Sequence, residues 1–298
     1  MGILVSINRV ITPPAEAKVS VFDRGFLYGD SVFETVRTYA ARPFQLKAHL
    51  VRLGRSATPI GLSFPYDVET IAGEVRRVIE AAVNPESVVR IIVTRGEGTV
   101  ALLPSPDLKP NLIVIVRPHQ DFTDDVYEKG VELAVVATRR NARLALDPNI
   151  KSGNYLNNVL ALREAAAAGA FEAVMLNPEG LVTEGTTSNV FMVKDGKLAT
   201  PHERAGLLRG ITRELVLYLA REQGIPLAER DISETELRGA VEIFVTSTLK
   251  EVLPVTRLNG KPVSNGAVGP VTRKLQEAFR EVVRRFVASG EEPALVDG

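Results

Sequence analysis

The spacing of apolar and polar positions changes period several times along this chain, and the changes mark out strands and helices. Residues 31–39 alternate apolar and polar after the turn Asp23-Arg24-Gly25, the period-two pattern of a strand. The spacing becomes helical over 48–61 and again over 68–83. Two runs rich in β-branched residues, 88–94 and 112–116, predict buried strands. The opening residues Met1 to Arg9 read as an edge strand and not as a signal peptide. From Pro118 to Asp125 the pattern gives way to polar, turn-prone residues, and a boundary is expected there. The expected division is a small N-terminal α/β domain over 1–118, a linker over 119–130 and a larger C-terminal domain over 131–298. Strands are predicted in the second part over 131–138, 173–176, 189–193 and 241–247, with helices over 155–168, 211–223 and 271–287. The last helix repeats Val271, Leu275, Phe279, Val282 and Phe286 on one face, the stripe of ordinary core packing. The chain reads as α+β, without a glycine-rich loop of the dinucleotide or P-loop kind.

Composition narrows the function classes. With 298 residues, 45% of them hydrophobic, there is core enough for one large or two ordinary domains. Thirty-six basic residues balance thirty-six acidic ones and no basic block stands out, so neither nucleic acid nor an anionic membrane is expected as the main partner. No apolar run approaches the roughly 20 residues that span a bilayer. The absence of cysteine excludes disulfides, thiolate metal sites and a cysteine nucleophile. His49, His119 and His202 are scattered, and no metal site is expected. The cytoplasm is the expected location.

Candidate chemistry begins at Lys151, which follows the turn-like Asp147-Pro148-Asn149 and is predicted to open a helix. A free lysine amine has a pKa near 10.4 and is a poor nucleophile at neutral pH; an imine with an aldehyde cofactor removes that difficulty. About thirty residues later an apolar strand ends in Glu184, followed by Gly185 and a run of small hydroxyl residues. An amine that forms an imine and a carboxylate that keeps a ring nitrogen protonated are what a pyridoxal phosphate enzyme needs. Taken singly, Lys151 is a solvated lysine and Glu184 a turn carboxylate. Phosphate would need converging N–H and hydroxyl groups. The N–H groups of Ile211 and Thr212 lie at the start of a predicted helix, where anions bind, and Thr246-Ser247-Thr248 ends a strand with three hydroxyls. Arg52, on the helix after His49, is a candidate cation for the same phosphate.

With Lys151, Glu184, Gly210-Ile211-Thr212 and Thr246-Ser247-Thr248 in that order, the chain resembles the class IV aminotransferases, the fold-type IV pyridoxal phosphate enzymes. The likeness runs from Asp23-Arg24-Gly25-Phe26-Leu27-Tyr28-Gly29-Asp30 to Thr272-Arg273-Lys274-Leu275. The resemblance implies two α/β domains with the active site between them and at the interface of a homodimer or higher homo-oligomer. It also implies a role for each matching residue. Lys151 would carry pyridoxal 5'-phosphate and shuttle a proton. Glu184 would pair with the pyridine nitrogen, Tyr155 would approach the phenolic oxygen and Leu208 would pack on the ring. Arg52, Ile211, Thr212, Ser247 and Thr248 fall at the phosphate.

Subfamily features point two ways. Phe33-Glu34-Thr35-Val36-Arg37 and Lys151-Ser152-Gly153-Asn154-Tyr155-Leu156 resemble the branched-chain type, and Arg90 falls where those enzymes keep an arginine near the substrate carboxylate. Glu184-Gly185-Thr186-Thr187-Ser188-Asn189 and Phe244-Val245-Thr246-Ser247-Thr248 lean to the D-amino acid type, whose arginine and histidine after Arg95-Gly96 are replaced here by Glu97-Gly98. Arg37, Arg90 and Arg95 remain as candidate carboxylate binders, with strand-face salt bridges as the alternative. The expected activity is ping-pong transamination between a branched-chain or other apolar L-amino acid and 2-oxoglutarate. D-amino acid transamination, aminodeoxychorismate lyase and (R)-amine transaminase are the alternatives.

Overall fold

The structure, a computed structural model, describes residues 2–295. It divides into two compact units: Met1–Gln120 with Ile150–Asn154, and Asp121–Asn149 with Tyr155–Gly298.

The first unit contains β1 (Leu4–Ile7), β2 (Val10–Thr12), α1 (Arg24–Tyr28), β3 (Ser31–Tyr39), β4 (Arg42–Pro43), α2 (Leu46–Ala57), α3 (Val68–Ala82), β5 (Ser87–Thr94) and β6 (Asn111–Pro118). Its strands form one antiparallel sheet in the order β2-β1-β6-β5-β3-β4. Val32 and Val36 of β3, Val89, Ile91 and Val93 of β5, and Leu112, Val114 and Val116 of β6 point to one face. There they pack with Leu50 and Leu53 of α2 and Ile71, Val75 and Val78 of α3. This is the alternation that a pleated strand requires when helices cover one side. The first strand is not the edge expected of it. Asn8 and Arg9 both have positive φ, 49° and 71°, so a tight turn folds β2 back onto β1, which lies between β2 and β6.

The second unit contains α4 (Asp124–Lys129), β7 (Val131–Val135), α5 (Leu156–Ala167), β8 (Glu172–Leu176), β9 (Val182–Gly185), β10 (Asn189–Lys194) and β11 (Lys197–Pro201). It continues through α6 (Ile211–Glu222), β12 (Leu227–Arg230), α7 (Glu234–Arg238), β13 (Glu242–Ser247), β14 (Glu251–Leu258), β15 (Lys261–Pro262) and α8 (Pro270–Ser289). The strands form one mixed sheet in the order β12-β11-β10-β13-β14-β7-β8-β9, with β15 beside β14. Phe191 and Phe244 are paired across β10 and β13 and their rings stack at 4.9 Å, fixing the middle of the sheet.

Three differences from the sequence pattern have local causes. The stretch expected to be a linker contains α4, whose Tyr127 is buried and whose Val126 packs on the second unit's core; Phe122, Val126 and Tyr127 are apolar residues hidden in a polar run. Strand β14 carries Pro254 inside it, and since proline argues against a central strand the sequence pattern does not predict this element. Pro254 precedes Val255, the first residue paired with β7, so its missing N–H removes no bond from that ladder. Helix α5 buries Ala161 and Ala165 against Ala134, Ala173 and Met175, while its larger side chains face outward. Small residues allow the helix to sit close on β8, an arrangement that a hydrophobic count misreads.

Candidate active site

In the first unit Lys151 does not open a helix. Helix α5 starts at Leu156, and Ile150–Asn154 runs extended along β3. The Phe33 N–H donates to the Lys151 carbonyl at 2.9 Å, Gly153 N–H donates to the Ser31 carbonyl at 2.9 Å, and Lys151 N–H donates to Ser56 Oγ at 3.1 Å. A backbone group that finds a strand partner has no need of a helix turn. The approach depends on Gly153, because a Cβ there would overlap Ser31 Oγ. The extended segment brings Lys151 Nζ to 4.5 Å from the centroid of the Phe33 ring.

Register decides what surrounds that amine. Thr35 pairs with Arg90 and Phe33 with Ile92, so the odd residues of β3 share a face with Arg90. The Arg90 guanidinium carbon lies 3.7 Å from the Phe33 ring centroid, and that of Arg37 lies 4.0 Å from the ring of Tyr39. Phe33, Arg37, Arg90 and Lys151 are thus gathered on one side of the sheet. Arg95 has other work. Its Nε donates to Asp30 Oδ2 at 2.6 Å, and Nη1 and Nη2 donate to the Gly61 and Ile60 carbonyls at 2.8 and 2.6 Å.

The opposite face of β3 carries Glu34, fully buried. Arg52 grips it with Nε and Nη2, each at 2.7 Å, and His49 Nδ1 lies 2.7 Å from Oε2. His49 and Arg52 are three apart on α2 and so present the same helix face to the strand. Burial pushes the Glu34 carboxyl up, but the Arg52 and His49 charges and hydrogen bonds outweigh it and hold it well below the usual carboxylate range. Burial lowers the His49 pKa against the pull of Glu34, and the nearby Arg52 and Lys151 cations lower it further. Arg52 is therefore oriented by a buried carboxylate, a partner that the sequence pattern did not signal.

The second unit holds the remaining candidates. Glu184 lies on β9 at the end of the sheet, buried, with Arg140 Nε donating to Oε1 at 2.9 Å and the Leu208 N–H donating to Oε2 at 3.0 Å. Asn189 Nδ2 donates to the Leu208 carbonyl at 2.8 Å. Gly210 is the N-cap of α6 and supplies no side-chain cap, so the first N–H groups of the helix, from Ile211 and Thr212, have no partner within it. A Cβ on Gly210 would overlap Asn189 Oδ1, which is why the position suits glycine. Thr212 is buried. Ser247 ends β13, its Oγ accepting from the Lys250 N–H at 3.2 Å; Thr248 follows, half-buried; and the buried Thr246 hydroxyl has no hydrogen-bond partner. Tyr155 stands half-buried at the N-cap of α5. Neither the role of Arg140 nor the hydrogen bond of Asn189 is legible in the sequence, because a lone arginine or asparagine in a loop or at a strand start shows no spacing that predicts its partner. Among the described residues no cluster of side chains suits a metal ion, and no helix is long and apolar enough to cross a membrane.

These features meet a known pattern. Residues 31–258 match the family model described as amino-transferase class IV. A protein of Methanocaldococcus jannaschii provisionally named a branched-chain-amino-acid aminotransferase is 38% identical over 93% of this chain and 96% of its own length. The D-alanine aminotransferase of Staphylococcus aureus strain MSSA476 is 36% identical over 94% and 97%. Among solved structures, the branched-chain amino acid aminotransferase of Thermobaculum terrenum, in its PLP holo form, superposes with a TM-score of 0.84 at 32% identity, covering 94% of this chain and 93% of that one. The chain belongs to the class IV aminotransferases, and its two-sheet α/β fold is the fold of that class. It is an enzyme whose cofactor is pyridoxal phosphate.

The residues present suit that group. An uncapped helix N-terminus opened by a close-fitting glycine would suit a phosphate. A buried carboxylate held by Arg140 and a backbone N–H would suit a protonated ring nitrogen. A lysine amine lying over an aromatic ring, on a segment pinned by two backbone–backbone hydrogen bonds and one to Ser56 Oγ, would suit an aldehyde.

Proposed function

We propose that the enzyme moves an amino group between a branched-chain or other apolar L-amino acid and 2-oxoglutarate by a ping-pong mechanism. The observation that carries this reading is the grouping of Phe33, Arg37, Arg90 and Lys151 on one face of the first sheet. An aromatic ring beside the amine suits an apolar side chain. Guanidinium groups on the same face suit carboxylates, including the second carboxylate of 2-oxoglutarate. Arg95, spent on Asp30 and two carbonyls, is left out of the substrate set.

In this reading Lys151 carries the cofactor and its Nζ moves the proton at the substrate's amino-bearing carbon. Glu184, held by Arg140, keeps the ring nitrogen protonated, Tyr155 meets the phenolic oxygen, and Leu208 packs on the ring. Ile211, Thr212, Ser247 and Thr248 are assigned to the phosphate, and Arg52, oriented by Glu34, is assigned to it as a cation. When bound, the cofactor supplies the electron sink for the charge left by that proton. The working form is a homodimer or higher homo-oligomer, a reading supported by the outward-facing leucines and valine of α5.

D-alanine transamination is the second reading, supported by the 36% identity to the staphylococcal enzyme. Separate half-reactions with L-leucine and D-alanine, followed by loss of the visible band of the lysine-bound cofactor, distinguish the two. Rapid loss with L-leucine is expected; loss with D-alanine alone would reverse the choice of hand. Lys151→Ala is expected to remove the band and lower turnover by a factor of about 1000 or more. Normal turnover in that variant would sink the mechanism.

A further inference from the structure

A second buried ion pair lies in the C-terminal unit, outside the groups assigned above. Glu172 opens β8 with its side chain only 2% exposed, and its Oε2 lies 2.8 Å from Nζ of Lys250, whose side chain is 12% exposed. The carboxylate has more partners than this cation. Its Oε1 accepts from Thr186 Oγ1 at 2.9 Å, from the Thr187 N–H at 2.6 Å and from Thr187 Oγ1 at 3.3 Å, and its Oε2 accepts from Ser188 Oγ at 3.0 Å. Every polar side chain of the turn after Glu184 therefore ends on one carboxylate. Gly185 permits the approach, since a Cβ there would come within 2.9 Å of Glu172 Oε1.

Lys250 joins this turn to another. Its Nζ also donates to Thr187 Oγ1 at 2.6 Å, and it lies 5.9 Å from the Phe171 ring centroid. Its backbone N–H donates to Ser247 Oγ, within the three-residue loop that connects β13 to β14. The loop closes through Glu251 at a φ of 55°, a conformation that side-chain-bearing residues seldom adopt. A lysine whose ammonium and amide are both committed, beside a residue in a strained conformation, is placed with more care than a surface charge needs. Burial pushes the Glu172 carboxyl up, but Lys250 and the donors of the turn outweigh it and keep the group ionised below its ordinary value.

We infer that the Glu172–Lys250 pair is a positioning latch that holds the Gly185–Ser188 turn and the Ser247–Thr248 turn as one piece. Neither residue is assigned a contact with cofactor or substrate. Glu172 acts through the turn that follows Glu184, and Lys250 through the turn that presents Ser247 and Thr248. The latch thereby sets the ring-nitrogen partner and the strand-end phosphate hydroxyls at a fixed separation within their unit. This inference rests on the cofactor roles given above.

The test compares the full-length wild type with Lys250→Met, Lys250→Arg and the double variant Glu172→Gln/Lys250→Met. The double variant leaves no lone buried charge, so it stays folded if the single methionine variant does not. The first readout is amide exchange in the cofactor-free protein, which needs no assumption about the ligand. Exchange at Thr187, whose N–H donates to Glu172 Oε1, is expected to rise tenfold or more in both methionine-containing variants, with the amides of β10 unchanged and Lys250→Arg close to wild type. Unchanged exchange at that amide would overturn the latch. The second readout is the dissociation constant for pyridoxal phosphate. A tenfold or greater weakening in the double variant, largely rescued in Lys250→Arg, is expected. Faster exchange with unaltered affinity would reduce the pair to a structural contact and overturn the positioning role. Wild-type protein that failed to bind pyridoxal phosphate through Lys151 would instead sink the cofactor roles, a failure visible before any variant is compared.

Discussion

Glu34 is the residue whose environment departs furthest from what its place in the chain suggests. In the sequence it occupies a polar position of an alternating strand, yet it is buried between His49 and Arg52. Two titrations follow from that burial. The folded-state pKa of Glu34 is depressed, so the stability it contributes is complete above the unfolded carboxylate range near 4.5 and is lost as pH falls through the folded value. The folded-state pKa of His49 is also depressed, so the unfolded chain takes up a proton below about 6.5 while the folded chain resists it. Stability therefore begins to fall as pH drops below about 6.5, before the carboxylates take part. Urea unfolding midpoints measured between pH 7.5 and 5 should show this decline, and His49→Gln, which keeps a donor to Glu34 but cannot titrate, should flatten it. A variant that declines as steeply as wild type would contradict a neutral His49. Arg95 teaches the same lesson from the other side. By residue type the three arginines are equal candidates; in the fold the Arg90 guanidinium lies over the Phe33 ring, whereas that of Arg95 fastens a loop through Asp30 and two carbonyls.

At the level of elements, the decisive feature is the five-residue segment Ile150–Asn154. Local pattern joins Lys151 to the helix that follows, because nothing between Lys151 and Leu156 forbids a helix outright. The segment instead takes the free edge of hydrogen-bonding groups at the start of β3, a partner more than a hundred residues away in the chain. Its strand-like course places successive side chains on opposite faces, which is how Lys151 comes to lie over Phe33. Gly153→Ala tests this directly. The added methyl group meets Ser31 Oγ and should push the segment off β3, lowering kcat by roughly 10–100-fold while circular dichroism and the cofactor band persist. Turnover equal to wild type would mean that the docking of this segment does not place the amine. Helix α6 shows the opposite case, an element read correctly from the chain. Gly210 followed by an apolar-periodic run predicted its start to the residue, since a helix N-terminus depends on local sequence.

For the whole molecule, the outward row on α5 bears on assembly. Leu156, Val159 and Leu160 are 68%, 50% and 43% exposed and lie at helical spacing, while the alanines of the same helix face the sheet. Sedimentation equilibrium should give a mass of at least twice 32.4 kDa for the wild type, and Leu156→Lys/Leu160→Lys should shift it toward the single-chain mass. A monomeric wild type, or a double variant with unaltered mass, would contradict the role given to this face. The α+β class, most of the longer elements and the order of Lys151, Glu184, Thr212 and Thr248 along the chain can be read from its residues alone. Each of these depends on periodicity, on turn chemistry or on reactive residue types in a fixed order, all of which are local in the chain. The fold alone reveals that β1 is flanked by β2, that Lys151 lies on a strand-like segment, and which groups hold Arg52 and Glu184 in place. It also separated Arg95 from Arg37 and Arg90, and joined Glu172 to Lys250. Those outcomes turn on which buried polar groups find each other across long stretches of chain, and a buried charge is stabilised only by partners that folding brings to it.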